Sequence, residues 1–369
     1  MAPGPDGISY RFLKLVLDTK LGSEIVREVA EALKEGRIPE AWQSSKVVFI
    51  PKPNKDHKVA KGWRPINLIN CTGKLTEKVV ADKLQEAGLF HKGQYRGIKG
   101  RSALEAMTQA LTRAQRALAR GGQVLWVMED VKGGFNNVLG QEVLDAVAGS
   151  EKGGWCRWLR DFFRPRQFEV EWDGKVRGKG SDNMGVLQGS PLSPVVFLIW
   201  MAPILGKMER KLKEEVGLDI EIPSFIDDMC MDVIEQEGGT GINMRRIEAE
   251  VKRVVREVTE ACKLPLELDK EEILHLQKTR KKWNTDRKHV KWLGVVFDDS
   301  LDFDLHWKSR LAKARKALGA LSGVGGSQWG MCPGGWKKAY EGMVRSIATW
   351  GAELGWRGQQ AWKKEFSRL

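Results

Sequence analysis

"SFIDDMCMDV", residues 224–233, sets two adjacent carboxylates, Asp227 and Asp228, in a strand-like run of isoleucine, methionine and phenylalanine. Charge in such a place is costly unless a partner neutralises it. Basic side chains and metal ions are the usual neutralisers. A DD pair on its own reads as a solvated turn, but Phe225, Ile226, Met229 and Met231 flank this one and weaken that reading.

The wider composition narrows the choice. The chain has 369 residues, 42% of them hydrophobic, enough for a substantial core in one large or two to three smaller folding units. Lys and Arg exceed Asp and Glu by 13, which points to a polyanionic partner, nucleic acid before membrane. No apolar run approaches the roughly 20 residues a membrane helix needs, and the N-terminus carries no apolar signal core. The five cysteines form no CxxC pair, and the five histidines are equally dispersed. A zinc knuckle, a disulfide framework and a Ser/His/Asp triad therefore lack local support, and the cysteine usage fits a reducing compartment.

Along the chain, "KVVFI" (46–50) reads as a strand closed by "PKPNKD". "TGKLTEKVVADKLQ" reads as a helix. Ser102 and Glu105 have capping-box spacing, and Leu104, Met107, Leu111, Ala114 and Leu118 recur behind them at helical intervals. "QVLWVMED" (123–130) is a buried strand ending on Asp130. "RQFEVEWDGKVRGKGSDNMGVLQGSPLSP" reads as a hairpin, a Gly-rich loop and a helix. Residues 220–234 read as another hairpin with the Asp pair near its tip. Ile247, Val251, Val254, Val255, Val258 and Cys262 mark an amphipathic helix. After "KWLGVVFD" (291–298) come basic helices. The first has a stripe of Leu311, Ala314, Leu318 and Leu321, with Lys313, Arg315 and Lys316 outside it. Strands and helices mixed without βαβ regularity indicate an α+β fold.

If the strand ending on Asp130 and the hairpin carrying Asp227 and Asp228 share a sheet, three carboxylates converge without histidine or cysteine. Such a hard, oxygen-only site suits Mg²⁺, which binds through one or two carboxylates plus substrate phosphates. Two such ions would clamp the attacking and leaving oxygens of an in-line phosphoryl displacement.

Several motifs, in order, resemble those of reverse transcriptases of non-LTR (LINE-like) retrotransposons. "FIDD" looks like the family's F-x-D-D box. "DVKGGFNNV" (130–138) resembles D-V-K-G-A-F-D-N-V, and "GVLQGSPLSP" (185–194) resembles Q-G-S-P-L-S-P. "GWRPINLINCTGKLTEKVV" (62–80) is similar to the R-P-I-x-L segment, and "QYRGIKGRSALEA" (94–106) to a Q-[FY]-G-x-[RK]-x-x-R-S segment with its first glycine displaced by one. "KWLGVVFD" resembles the segment that grips the primer. "SQWGMCPGGWKKAYEGMVRSIATWGAELGW" is similar to the helical region beyond it, where many fungal elements read close to T-Y-G-A-E. The resemblance implies a right-hand polymerase. Residues 1–122 would form the fingers with some palm elements, 123–298 the palm, and 299–369 a helical thumb and C-terminal remnant. Relatives carry an endonuclease before this region and often a ribonuclease H region after it, so the chain is expected to be the polymerase core of a longer protein.

By the same resemblance, Asp130 and Asp227 bridge two Mg²⁺ ions (Mn²⁺ being a substitute), with the carbonyl of Val131 as a further ligand and Asp228 helping to neutralise the site. The partners implied are an RNA template, a DNA primer and dNTPs, with no membrane. Phe135 would clash with a 2′-hydroxyl, or else is simply core. Arg64 would clasp the triphosphate in a forked contact, with Lys58 or Lys61 assisting. Gln188 and Gly189 would lie against nucleotide and template. Lys270 would protonate departing pyrophosphate, or is an exposed strand-end lysine. Trp292, Leu293 and Gly294 would hold the primer end. Lys313, Arg315 and Lys316 would track the duplex backbone, or form a solvated face. Asn136 stands where relatives usually have aspartate. The family implies a nuclear site of action; "KTRKKWNTDRK" (278–288) is basic, but so is much of the chain, and it makes no convincing targeting run. Two alternatives stay open: an inert retroelement remnant that binds nucleic acid through its basic surface, and an RNA-dependent RNA polymerase, against which Phe135 argues.

Overall fold

A computed structural model of the chain describes residues 2–53, 55–182, 185–235, 243–277, 288–324 and 330–368. All of the basic run at 278–288 except Lys288, and Ser327 to Trp329 of the C-terminal segment, lie outside the described residues.

In chain order the first elements are α1 (Tyr10–Val16), α2 (Lys20–Glu35), β1 (Ser44–Pro51), β2 (Trp63–Ile69), α3 (Cys71–Gln85) and α4 (Ala103–Ala119). Next come β3 (Gln123–Asp130), α5 (Gly140–Ala148), α6 (Cys156–Phe162), β4 (Arg166–Trp172), β5 (Lys175–Asp182) and α7 (Ser193–Val216). Then follow β6 (Asp219–Glu221), β7 (Ser224–Phe225), β8 (Asp228–Glu235), α8 (Met244–Ala261), β9 (Glu272–Gln277), β10 (His289–Trp292), β11 (Val295–Asp298) and α9 (Asp304–Ser322). Short helices occupy Pro333–Ala339, Ser346–Thr349, Ala352–Gly355 and Gln360–Phe366. The mixture is α+β, as expected. Among the described residues no helix is long and apolar enough to cross a membrane.

The chain divides into two compact units, each assembled from separated stretches. One comprises Met1–Arg101, Val131–Met208 and Val258–Pro265. Its sheet has the order β2-β1-β4-β5, antiparallel except where β1 runs parallel to β4. β1 carries the expected "KVVFI" strand. α3 turns Val80, Ala81 and Leu84 inward, and Glu77 shares that buried stripe at helical spacing.

The other unit comprises Ser102–Asp130, Glu209–Glu257 and Leu266–Leu369. Its main sheet runs β6-β8-β3-β9, all antiparallel, with β7 also on β8. β3 lies between two strands and is buried from Val124 to Glu129, which is what its unbroken apolar run demands. The capping box before α4 forms: the Ser102 hydroxyl accepts the Glu105 amide at 3.2 Å, and the Glu105 carboxylate accepts the Ser102 amide at 3.3 Å. The buried face of α4 is Ala106, Met107, Ala110, Leu111, Ala114 and Ala117, whereas Leu104 and Leu118 are half-buried at its ends. Alanines, which periodicity in large residues overlooks, let this helix sit close. The expected hairpin at 220–234 is broken on its first side into β6 and β7. Pro223 separates them; it has no amide to give a ladder, but its carbonyl accepts the Cys230 amide at 3.0 Å.

Beyond β11, the apolar stripe of α9 buries Leu311, Ala314 and Leu321 and extends back to Trp307. Ala314 and Leu321 pack with Val344 and Ala348 in a small core of their own. Lys313, Arg315 and Lys316 are exposed, and Arg315 pairs with Glu365 at 2.8 Å.

Candidate active site

The β3–β8 ladder ends with Asp130 directly opposite Asp228. Directly opposed residues of an antiparallel pair have Cβ atoms about 4.5–5.5 Å apart on one face, so two carboxylates are brought together by strand register alone. Asp227 precedes Asp228 in a two-residue loop, because Phe225 pairs with Asp228 across the turn. Ile226, the first loop residue, is 5% exposed and has φ +65°. A β-branched residue in that region is a backbone outlier, with its Cβ crowded against the chain. Strain of this kind persists only where the surroundings over-determine it, and it clusters at functional turns.

Lys270 completes the cluster. It sits in a turn before β9 that hangs from β3: the Glu267 amide donates to the Asp130 carbonyl, and the Lys270 amide to the Glu267 carbonyl, both at 2.8 Å. This carries the Lys270 ammonium to the Asp130 carboxylate at 2.5 Å and to that of Glu267 at 2.9 Å. Burial works against the ammonium, yet the bonds to Asp130 and Glu267 outweigh it and raise its pKa. Glu129, on the opposite face of β3 by strand alternation, is buried beside Glu271. Burial, then its neighbour's charge, pushes Glu129 well above the usual carboxylate range. Further along the ladder, the Asp232 carboxylate accepts the Trp126 indole N–H at 2.8 Å and an Arg113 N–H at 2.7 Å. Burial pushes Asp232 up to about 6, against the pull of Arg113.

Among the described residues no three carboxylate, histidine or cysteine side chains are gathered closely enough to hold a metal ion. The donors present are nonetheless all hard oxygens, and Asp130 already holds a cation, the Lys270 ammonium. That set suits an ion that keeps its waters and takes phosphate oxygens from a substrate rather than one needing a preformed cage.

Trp292 and Val295 close a second two-residue hairpin, with Leu293 at φ +48° and Gly294 at φ +84°. The Leu293 carbonyl accepts the Trp350 indole N–H at 3.2 Å, and the Gly294 carbonyl accepts from Arg310. His306 is fully buried. Its Nε2 donates to the Trp350 carbonyl at 2.9 Å, while its Nδ1 accepts the Val296 amide at 3.3 Å, so the ring is neutral. Burial lowers its pKa to about 4.

Arg64, Lys58, Phe135, Gln188 and Gly189 belong to the first unit, as does Val131, which directly follows Asp130. Two backbone bonds join three of their segments. The Asn67 amide of β2 donates to the Gln188 carbonyl at 2.7 Å, and the Val186 amide to the Phe135 carbonyl at 2.9 Å. Gly189 has φ +124°, and a Cβ there would lie 2.3 Å from the Asn67 carbonyl oxygen, so only glycine fits. Phe135 is half-buried with its ring 5.4 Å from that of Phe197. Arg64 is exposed on β2, and Lys58 and Lys61 are exposed in the loop before it. In the displaced-glycine segment, Gln94 is buried and donates to the Leu198 carbonyl at 3.0 Å. Asn136 is exposed.

Residues 50–297 match the profile of the reverse transcriptase (RNA-dependent DNA polymerase) family. The chain belongs to this family. With membership comes the polymerase architecture expected above. Among curated relatives, a 149 kDa protein of transposon TX1 from Xenopus laevis is 22% identical, over 62% of this chain and 18% of its own length. A 115 kDa protein of the R1DM element from Drosophila melanogaster is 23% identical over 96% of this chain and 34% of its own length. The Pol polyprotein of an R2 element from Nasonia vitripennis is 25% identical over 67% of this chain and 24% of its own length. These relatives are proteins of transposons and retrotransposable elements, and the chain spans about a third or less of their length. Solved telomerases from Candida tropicalis and Candida albicans superpose with TM-scores of 0.48 and 0.49 at 12% and 11% identity. They cover 77% and 93% of this chain, which in turn covers 59% and 58% of theirs.

Proposed function

We propose that this reverse transcriptase chain is an RNA-directed DNA polymerase core that extends a DNA primer on an RNA template with dNTPs. The observation that carries this is the Asp130–Asp228 rung with Asp227 in the adjoining turn. The primer 3′-hydroxyl attacks the α-phosphate of the nucleotide and pyrophosphate leaves, a reaction driven by positioning and electrostatics. Asp130 and Asp227 would hold a pair of Mg²⁺ ions, with the Val131 carbonyl as a further ligand and Asp228 lowering the local potential. The chemistry such ions would supply there is stabilisation of charge on the attacking and leaving oxygens.

The chain's own residues do the rest. Lys270 balances Asp130 before substrate enters, then swings from Asp130 to protonate departing pyrophosphate. Arg64 grips the triphosphate, with Lys58 beside it. Gln188 and Gly189 face the base pair being formed, and Phe135 lies under the incoming sugar and excludes a 2′-hydroxyl. Trp292, Leu293 and Gly294 hold the primer end, and Lys313 and Lys316 track its backbone. In this scheme residues 1–122, 123–298 and 299–369 serve as fingers, palm and thumb, and the "ATWGAELGW" segment favours a fungal source.

Primer extension on RNA tests this, with dNTPs compared against rNTPs. Synthesis should require dNTPs, vanish in Asp227→Ala, and admit rNTPs in Phe135→Ala. An Asp227→Ala protein as active as the parent would refute the site. Preference for rNTPs in the parent would replace the proposed product with RNA.

A further inference from the structure

Glu77 carries a charge that the proposed reaction does not use. It is 3% exposed on the apolar stripe of α3. One carboxylate oxygen accepts from the Arg166 guanidinium at 3.2 Å and the other from the Ser190 hydroxyl at 2.5 Å. Arg166, 4% exposed, lies over the Phe162 ring at 4.5 Å and donates to the Phe162 carbonyl at 3.3 Å. Ser190 turns its oxygen to the Leu192 and Ser193 amides, both at 3.2 Å, and so caps the start of α7. Burial pushes Glu77 up, against the pull of Arg166.

A buried ion pair is weak evidence of stabilisation, because desolvation can exceed the attraction between its charges. Here the pair ends on the serine that follows Gln188 and Gly189. Two anchors fix that stretch: the Asn67 amide on the Gln188 carbonyl, and the Ser190 hydroxyl on Glu77. Gly189, where no side chain would fit beside the Asn67 carbonyl, lies between them.

We propose that Glu77, with Arg166, is a positioning residue: through Ser190 it sets the Gln188–Gly189 backbone and thereby the affinity for the incoming nucleotide. This rests on the nucleotide-facing role given to that loop above. Glu77 itself touches no reacting atom. Its removal changes where the loop sits rather than the chemistry of the carboxylates.

Two variants test it. Ser190→Ala deletes one hydroxyl, and Glu77→Gln keeps the shape of the side chain while removing its charge. In each, the KM for dNTP should rise about tenfold with kcat and primer–template affinity held within about twofold, as expected when a buried polar group loses its partner. The double variant should be no worse than the poorer single one, since both act through the same link, Glu77→Gln by weakening it and Ser190→Ala by removing it. Ser190→Thr, which keeps a hydroxyl, should restore the parental KM.

Hydrogen exchange reads the positioning without any turnover. The Asn67 amide should exchange about tenfold faster in Ser190→Ala, with the amides of β1 unchanged. Should Glu77→Gln fail to fold, Ser190→Ala alone decides. An unchanged KM together with unchanged exchange at Asn67 overturns the proposal. A fall in kcat matching a general loss of exchange protection also overturns it, since that is the mark of a merely structural role. A parent protein without primer extension would instead sink the polymerase reading, and the exchange at Asn67 would still judge the link from Glu77.

Discussion

Two reverse turns in the second unit are built to the same length and to opposite ends. Both link strands through two residues, Ile226-Asp227 and Leu293-Gly294. At 293–294 both φ angles are positive, as a type I′ hairpin turn requires, and glycine takes the second place, where its freedom is needed. Arg310 and Trp350 then bind the two carbonyls. At 226–227 only the first φ is positive, and a β-branched isoleucine occupies it although glycine would be at ease there. One turn is settled by local preference. The other accepts strain to deliver a carboxylate beside the Asp130–Asp228 rung, and is held by burial of Ile226. Unfavourable local chemistry in an otherwise ordinary hairpin is therefore informative about function.

Making the first turn like the second should have the largest effect. Asp227→Gly should lower primer-extension turnover on the order of a thousandfold, while leaving the urea midpoint near that of the parent. Loss of folding instead would mean that Asp227 serves the turn and not the chemistry.

Acid should part the two turns next. The folded His306 has a pKa of about 4 against an ordinary 6.5, so the unfolded chain binds more protons in that window. Stability from a neutral His306 is complete above the upper value and lost as pH falls to the lower, by at most about 3 kcal/mol. Asp232, raised to about 6 from 3.8, contributes with the opposite sign: its contribution is present at low pH and lost as pH rises through about 6. The slope due to His306 is isolated by comparing stability from pH 4 to 7 in the parent and in His306→Gln. A pH-independent difference would mean that His306 does not titrate as described.

Gly294→Ala comes third. It places a Cβ at positive φ, 3.4 Å from the Trp350 indole nitrogen, and should cost roughly 1–2 kcal/mol by chemical denaturation. Smallest of all, Ile226→Met keeps the volume without branching at Cβ and should change stability by less than about 1 kcal/mol. A large loss there would show that the branch itself is needed and that the strained turn depends on it.

Much of the second unit's sheet was legible because β3 and β8 are largely apolar runs with few charged interruptions. Asp130 and Asp228 could be named from sequence, and the ladder then brought them opposite each other. The engagement of Asp130 by Lys270 could not be foreseen, since it depends on a turn hung from the Asp130 carbonyl. The buried charges were legible in principle. Glu77 lies in line with Val80, Ala81 and Leu84, and Asp232 interrupts the most buried stretch of β8. Their partners were not, because Arg166 and Arg113 come from distant elements and nothing local distinguishes them from solvated arginines. The α4 stripe was misjudged at its ends because four alanines bury without a large hydrophobic signal.

The parallel pairing of β1 with β4 has a consequence for how the chain is made. β2 follows β1 closely and can join it at once, but β4 begins only at Arg166. At ordinary rates of translation the intervening chain takes roughly ten seconds to emerge. Through that interval the "KVVFI" strand presents an open edge on its other side, a template for pairing with a neighbouring chain. Yield of native protein should therefore depend on how crowded and how slow synthesis is, and chaperones that shield strand edges should matter most before the second half of the chain appears.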